Sequence, residues 1–155
     1  MALLSTLLLA LVPVTFPARP GWYTGRAPAH ACPSVSVRRC VQAESWASTT
    51  PFRDCTGCFP HRTLARLPRD GVVIQLTLAV EHPTVLRRAL RRPLTIRASE
   101  VSGPFEGAPA RIGVFQTSGR IGRYELLAIV FFGRLRPTTR QLAAANAELR
   151  AAHLP

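Results

Sequence analysis

The stretch RIGVFQTSGRIGRYELLAIVFFG, residues 111–133, decides the fold because it has the densest apolar periodicity outside the N-terminus. Residues 112–117 alternate between two faces, and residues 118–122 supply the Ser and Gly typical of a turn. Residues 124–132 are nearly all apolar, which is typical of a strand covered on both sides. We therefore predict a β-hairpin over about residues 111–132, with its second strand at the centre of the sheet.

Two further elements are predicted on either side of this hairpin. Residues 72–80 alternate apolar positions with mixed ones, as a half-buried strand does. Thr138 and Gln141 have the spacing of a capping box, followed by a helix over about residues 139–152. Its apolar stripe consists of Leu142, Ala145, Leu149 and Ala152. The predicted fold class is α+β, a small antiparallel sheet built round the hairpin with the C-terminal helix packed on one face.

The N-terminus predicts an exported protein. Residues 2–16 are uncharged and mostly apolar, but they fall short of the about 20 apolar residues that span a bilayer, a length that suits a signal peptide. Residues 17–33 are rich in Pro, Gly and Ala, and small-residue cleavage sites end at Ala29 and Ala31. We expect residues 1–31 to form a signal-like segment and linker, and residues 32–155 to form one small domain. If residues 2–16 instead form a buried helix or strand, the protein is cytoplasmic.

Four cysteines lie in the N-terminal half of the chain. They are Cys32, Cys40, Cys55 and Cys58, in the spacing C-x7-C-x14-C-x2-C. An even count in a small exported domain predicts two disulfides, and the sequence allows three pairings. Residues 42–68 are predicted to be a long loop. The local pairing joins Cys32 to Cys40 and Cys55 to Cys58, and the two crossed pairings would tie this loop down at least as well.

Zinc binding is the competing interpretation of the same residues. Cys55, Cys58 and His61 have short ligand spacing, and Cys40, or alternatively Cys32 or His30, would complete a tetrahedral set. A second closely spaced pair of cysteines, usual in structural zinc sites, is missing. A redox role for the C-x2-C motif requires a preceding strand and a following helix, which Asp54 and Pro60 do not favour.

Charge is the strongest compositional signal. The chain carries 20 basic and 8 acidic residues, a formal charge of +12, and every basic residue is Arg. A short helix is predicted over residues 83–92. One face of this helix carries four of the arginines: Arg87, Arg88, Arg91 and Arg92. This face suits an anionic surface or an envelope partner. No aromatic residue interleaves with these arginines, so a nucleic-acid partner is disfavoured.

No catalytic motif is evident. The G-x-S-x-G, H-E-x-x-H, phosphate-loop and dinucleotide-binding patterns are all absent. An acid–base pair would have to come from His61 with Asp54 or Asp70, or from His82 with Glu81, as in a small hydrolase. We therefore expect an exported or envelope-associated, disulfide-stabilised binding or accessory domain without a cofactor. The alternative is an intracellular, zinc-stabilised basic protein that contacts nucleic acid or another polyanion.

Overall fold

The computed structural model describes residues 14–27, 39–81 and 88–155. Within these ranges five strands form one antiparallel sheet in the order β1-β2-β3-β5-β4. The strands are β1 (Tyr23–Arg26), β2 (Arg39–Ser48), β3 (Val72–Glu81), β4 (Gly113–Ile121) and β5 (Tyr124–Phe132), and the helices are α1 (His61–Ala65) and α2 (Thr139–Ala151). The predicted α+β class is confirmed. Neither described helix is long and apolar enough to cross a membrane.

The predicted hairpin is formed by β4 and β5, with a tighter turn than expected. β4 runs on to Ile121, which pairs with Tyr124, so only Gly122 and Arg123 connect the strands. Gly122 has a φ of 58°, a conformation that two-residue turns require and glycine adopts without strain. β5 is an inner strand, but the middle position belongs to β3, because β1 and β2 extend the sheet beyond it.

Both faces of the sheet are covered over part of its area. On one face α2 packs through Ala145 and Leu149 against the alternate apolar residues of β3, as the helix stripe predicted. On the other face, the segment that contains α1 covers Val73 and Phe131. Because this second cover reaches only part of the sheet, Gln75 and Thr77 remain partly exposed.

The capping box at the start of α2 is confirmed. Thr138 Oγ1 accepts from the Gln141 N–H at 3.2 Å, and Gln141 Oε1 accepts from the Thr138 N–H at 3.0 Å. The buried Gln141 amide also donates to the carbonyls of Arg69 and Gly71, at 3.2 and 3.1 Å. The cap therefore both begins the helix and fixes it to the chain that enters β3.

Two segments predicted to be irregular lie in the sheet. β2 continues to Ser48, well into the predicted loop over residues 42–68. Tyr23–Arg26, within the predicted linker, pairs with β2 from Ser48 to Ser45. Gly25 makes this close approach possible, because the Trp46 indole occupies the space where a Cβ would stand. In both segments, pairing with residues distant in sequence outweighs a local sequence that has little preference for a strand.

The chain before β1 also belongs to the core. Val14 is 1% exposed and Phe16 is 8% exposed, and both join the cluster beneath α2. Between them Thr15 exchanges backbone hydrogen bonds of 3.2 and 2.8 Å with His153. The folded domain therefore includes residues 14–27, and cleavage after Ala29 or Ala31 would remove them. Residues 1–13 and 28–38 lie outside the described part of the chain.

Glu148 of α2 is an unusual buried acid and gives a pH prediction. It is 0% exposed, and its Oε2 atom lies 3.3 Å from Arg19 Nη1. Burial raises the pKa of Glu148 above 4.5, and the Arg19 charge offsets only part of that shift. The folded state therefore binds a proton more readily than the unfolded state. As pH falls from neutrality towards 4.5, this residue should contribute increasing stability.

Glu148→Gln should remove that contribution. Urea unfolding of the two proteins across this pH range is expected to show wild type gaining stability relative to the variant as pH falls. Glu106→Gln, a change at an exposed glutamate, serves as the control and should leave the pH profile unchanged. A wild type that instead loses stability relative to Glu148→Gln as pH falls would contradict the assignment.

Candidate anion-binding groove

A groove of about 810 Å³ lies along the outer edge of the sheet, between β4 and the segment that precedes it. We call it the arginine groove. Its basic residues are Arg88, Arg91, Arg92 and Arg97. Three of these four belong to the set predicted from the sequence; the fourth predicted residue, Arg87, lies outside the described residues.

Backbone pairing holds one end of the arginine groove in place. Leu90 donates to the Arg120 carbonyl, and the Arg120 N–H donates to the Arg88 carbonyl, both at 2.9 Å. Gly119 lets the two segments approach, because a Cβ there would collide with the Arg88 carbonyl and the Leu90 side chain. Residues 88–90 therefore form the end wall of the groove and present Arg88 beside β4.

This pairing corrects the predicted helix over residues 83–92. Residues 82–87 lie outside the described part, but residues 88–92 are not helical, and Ala89 forms a parallel bridge with Arg120. The amphipathic pattern remains, since Leu90 packs on the core while Arg88 is exposed. The edge of β4 offers unpaired backbone groups, and satisfying them favours an extended conformation over a short helix.

The opposite wall is fixed by buried anchors. Leu94 and Ile96 are buried in the main core, although residues 94–98 do not form a strand. The Asn146 side chain of α2 takes the place of a strand partner: it accepts from the Ile96 N–H at 2.7 Å and donates to the Ile96 carbonyl at 3.1 Å. Arg97, which follows directly, is exposed and faces the same groove as Arg88.

The charge of the arginine groove is largely uncompensated within the described chain. All four arginines are exposed, and none forms an ion pair with a described carboxylate. Glu100 is the acidic residue in the lining, and its Oε2 accepts from the Arg97 N–H at 2.8 Å. Arg92 donates to the main-chain oxygen of Pro155. Charges gathered along one concave surface raise the local concentration of an anion more than the same charges spread over the protein.

The cysteine cluster forms a separate feature on the other side of the sheet. Cys55 and Cys58 are joined in a disulfide with a Cα–Cα distance of 5.3 Å, so the local pairing, not a crossed one, is present. Gly57 makes the turn at a φ of 82°, and the Gln75 amide donates to the Cys58 carbonyl at 3.1 Å. Cys32 and the Cys40 side chain lie outside the described part of the chain.

The zinc alternative would need a different state of these residues. The disulfide uses the thiols of Cys55 and Cys58, and His61 Nδ1 donates to the Gly107 carbonyl at 3.1 Å. Zinc binds cysteine as the thiolate, so the bridge would have to be reduced first. Among the described residues, no group of three or more His, Cys, Asp or Glu side chains is placed to hold a metal.

The acid–base pair considered at His61 is not formed with Asp54. The Asp54 carboxylate accepts from the N–H groups of Arg62 and Thr63, at 3.0 and 2.9 Å, and from Thr63 Oγ1 at 2.6 Å. Burial tends to raise the pKa of Asp54, but these hydrogen bonds outweigh it and lower the pKa. The residue stabilises the start of α1, while His61 faces Gly107. His82 lies outside the described residues.

Sequence reasoning missed two parts of the arginine groove. Arg97 has no periodic relation to Arg88 or Arg91, and only the turn of the chain through Leu94 and Ile96 brings it to the same surface. The exposed edge of β4 was also missed, because strand order cannot be inferred from the hairpin pattern alone. No local signal in the sequence marks either feature.

Comparison with known proteins gives no match to a protein-family model, to a curated protein or to a solved structure.

Proposed function

We propose that this chain is a non-catalytic binding domain that holds an anionic ligand in the arginine groove. The observation that carries the proposal is the set of four exposed arginines along one concave surface, of which Arg92 alone has a described side-chain partner, the main-chain oxygen of Pro155. Buried anchors at Leu94 and Ile96 hold the wall that carries Arg97, which reduces the ordering cost of binding. Positive charge, hydrogen-bond donors and a shaped surface are what an anion requires.

We place this activity outside the cytoplasm, in an exported or envelope-associated protein. Both cysteines of the Cys55–Cys58 disulfide are exposed, and such a bridge persists in an oxidising compartment, whereas cytoplasmic thiol systems reduce it. Of the apolar stretch over residues 2–16, Val14 and Phe16 are buried in the core, so only residues 2–13 remain to support export. Because Val14 and Phe16 are core residues, a processed chain has to retain them.

Binding is tested with tripolyphosphate as a compact, flexible anion. Wild type is expected to bind it with an affinity that falls as salt rises from about 50 to about 300 mM. The double variant Arg88→Glu/Arg91→Glu should lower the affinity by about tenfold or more, since it reverses two charges in the arginine groove. Isothermal titration calorimetry measures both effects.

The matched control is Arg136→Glu/Arg140→Glu. It changes the net charge equally, and both arginines are exposed and lie outside the arginine groove. Its affinity should stay within about threefold of wild type at about 150 mM salt, where distant charges are screened. Equal losses in the two double variants would mean that net charge, not the groove, attracts the anion, and the proposal would fail.

Compartment is tested on protein recovered from its native host with thiols blocked at lysis. Peptide mapping without reduction is expected to recover the Cys55–Cys58 bridge and a second bridge between Cys32 and Cys40. The N-terminal peptide should begin at or before Val14. Four blocked thiols would contradict the extracytoplasmic assignment, and a mature chain that starts after Ala31 would contradict the place of residues 14–27 in the domain.

A further inference from the structure

We infer that the ligand of the arginine groove is an extended acidic peptide that adds to the sheet as a strand beside β4. The inference rests on the proposed function and specifies its ligand class. It follows from a second feature of the groove, the backbone of the edge strand that forms its floor.

Among residues 14–27, 39–81 and 88–155, β4 is paired on its outer side only near its two ends. Ser102 and Val114 exchange hydrogen bonds of 2.8 and 2.7 Å, and Arg120 bonds to Arg88 and Leu90 at 2.9 Å. Arg120 lies six positions after Val114, so the two anchors stand about 20 Å apart at about 3.3 Å per residue. Between the two anchors, no residue in the described part of the chain pairs with the outer edge of the strand.

Gln116 and Ser118 supply the backbone groups of this open edge. In an antiparallel pair, alternate residues direct both N–H and C=O away from the partner strand, and the outward pairing of Val114 and Arg120 puts Gln116 and Ser118 on the same side. No described residue pairs with these groups. Both residues are exposed and line the arginine groove.

An extended peptide fits both features at once. Its main chain can pair with Gln116 and Ser118, as in strand addition to a free sheet edge, over about three to four residues. Its acidic side chains would lie among the arginines of the groove. A compact anion satisfies the charges but leaves the edge unpaired. A single-stranded nucleic acid would need an aromatic stacking surface, and Phe115, the aromatic residue in the lining, is buried.

The inference is tested with the dye-labelled peptide Glu-Val-Glu-Val-Glu, capped at both ends, by fluorescence anisotropy. Its comparison ligand has the same sequence with every peptide nitrogen methylated, which keeps the charge and removes the N–H donors. The unmodified peptide should bind at least about tenfold more tightly, because strand pairing requires those donors. Equal affinities would overturn strand addition.

A protein variant tests the same step from the other side. Ser118→Pro removes an outward N–H, which is not part of the β4–β5 ladder, and proline is tolerated on an edge strand. It should weaken peptide binding by about tenfold or more while leaving tripolyphosphate binding within about twofold. Ser118→Ala, which keeps the N–H, should match wild type.

The three ligands distinguish a failure of strand addition from a failure of the proposed anion-binding function. Binding of tripolyphosphate and of both peptides with similar affinity would overturn strand addition and leave an anion-binding groove. Failure of all three to bind would overturn the proposed function itself. If Ser118→Pro does not fold, as judged by circular dichroism and thermal unfolding, the comparison of the two peptides on wild type decides the question.

Discussion

A chain that lacks residues 1–27 is expected not to fold, whereas a chain that lacks only residues 1–13 should unfold cooperatively. The longer deletion removes Val14 and Phe16 from the core, and each buried side chain of this size contributes about 1.5–3 kcal/mol. It also removes Arg19, the partner of the buried Glu148 carboxylate, and the pairing of β1 with β2. Because the Arg19 side chain is 44% exposed, solvent screens this ion pair, and its loss adds less than the loss of the two core side chains. The sum approaches the whole stability of a small domain, about 5–15 kcal/mol.

Circular dichroism and urea unfolding of the two truncated chains measure this difference. Phe16→Ala in the full-length chain provides a milder test, with an expected loss of about 3 kcal/mol or more in the free energy of unfolding. Phe52→Ala offers a comparison at a half-buried phenylalanine, which stacks on Trp46 with a centroid distance of 4.2 Å, and it should cost less. Equal unfolding midpoints for the two truncated chains would show that residues 14–27 do not contribute to the fold.

The sequence predicts the elements whose signals lie close together along the chain, and it misses those that depend on pairing with distant residues. The hairpin and α2 are specified by periodicity, a turn glycine and a capping box, all within about a dozen residues of each other in sequence, and both are confirmed. β1 has only four residues, and Tyr23–Arg26 shows no alternation that would distinguish it from a linker. Its conformation is set by β2, which lies some 20 residues further along the chain.

The arginine groove shows the same division at the level of the site. Arg88, Arg91 and Arg92 are clustered in sequence, so a local search finds them. The surface that they form depends on Gly119 and Asn146, which hold the two walls in place and are distant in sequence. The residue pattern therefore pointed to three of the arginines that line the groove, but it predicted a helix where residues 88–92 are not helical. The groove forms because residues distant in sequence pair with the arginine-bearing segment, and not because that segment is rich in arginine.

Phe131→Ala is expected to cost about 3–5 kcal/mol of unfolding free energy, the range for a fully buried phenylalanine. Phe131 lies on the face of β5 opposite α2. Its ring meets Phe59 edge-on at a centroid distance of 5.7 Å and Phe105 at 6.4 Å. Phe59 follows the Cys55–Cys58 disulfide directly, so this contact fixes the disulfide segment to the sheet.

The Phe131→Ala substitution should therefore loosen the disulfide segment locally as well as lower the stability of the whole domain. Limited proteolysis of Phe131→Ala is expected to cut first within residues 49–71 or 103–110, which pack on that ring, while α2 stays protected by its contacts on the opposite face. Leu127→Ala changes a partly exposed residue on the same strand and the same face, so it should cost much less and leave the cleavage pattern unchanged. If the two variants lose equal stability, the second apolar cluster is not what anchors the disulfide segment. The packing on the disulfide side of β5 would then add nothing to the stability that packing against α2 provides.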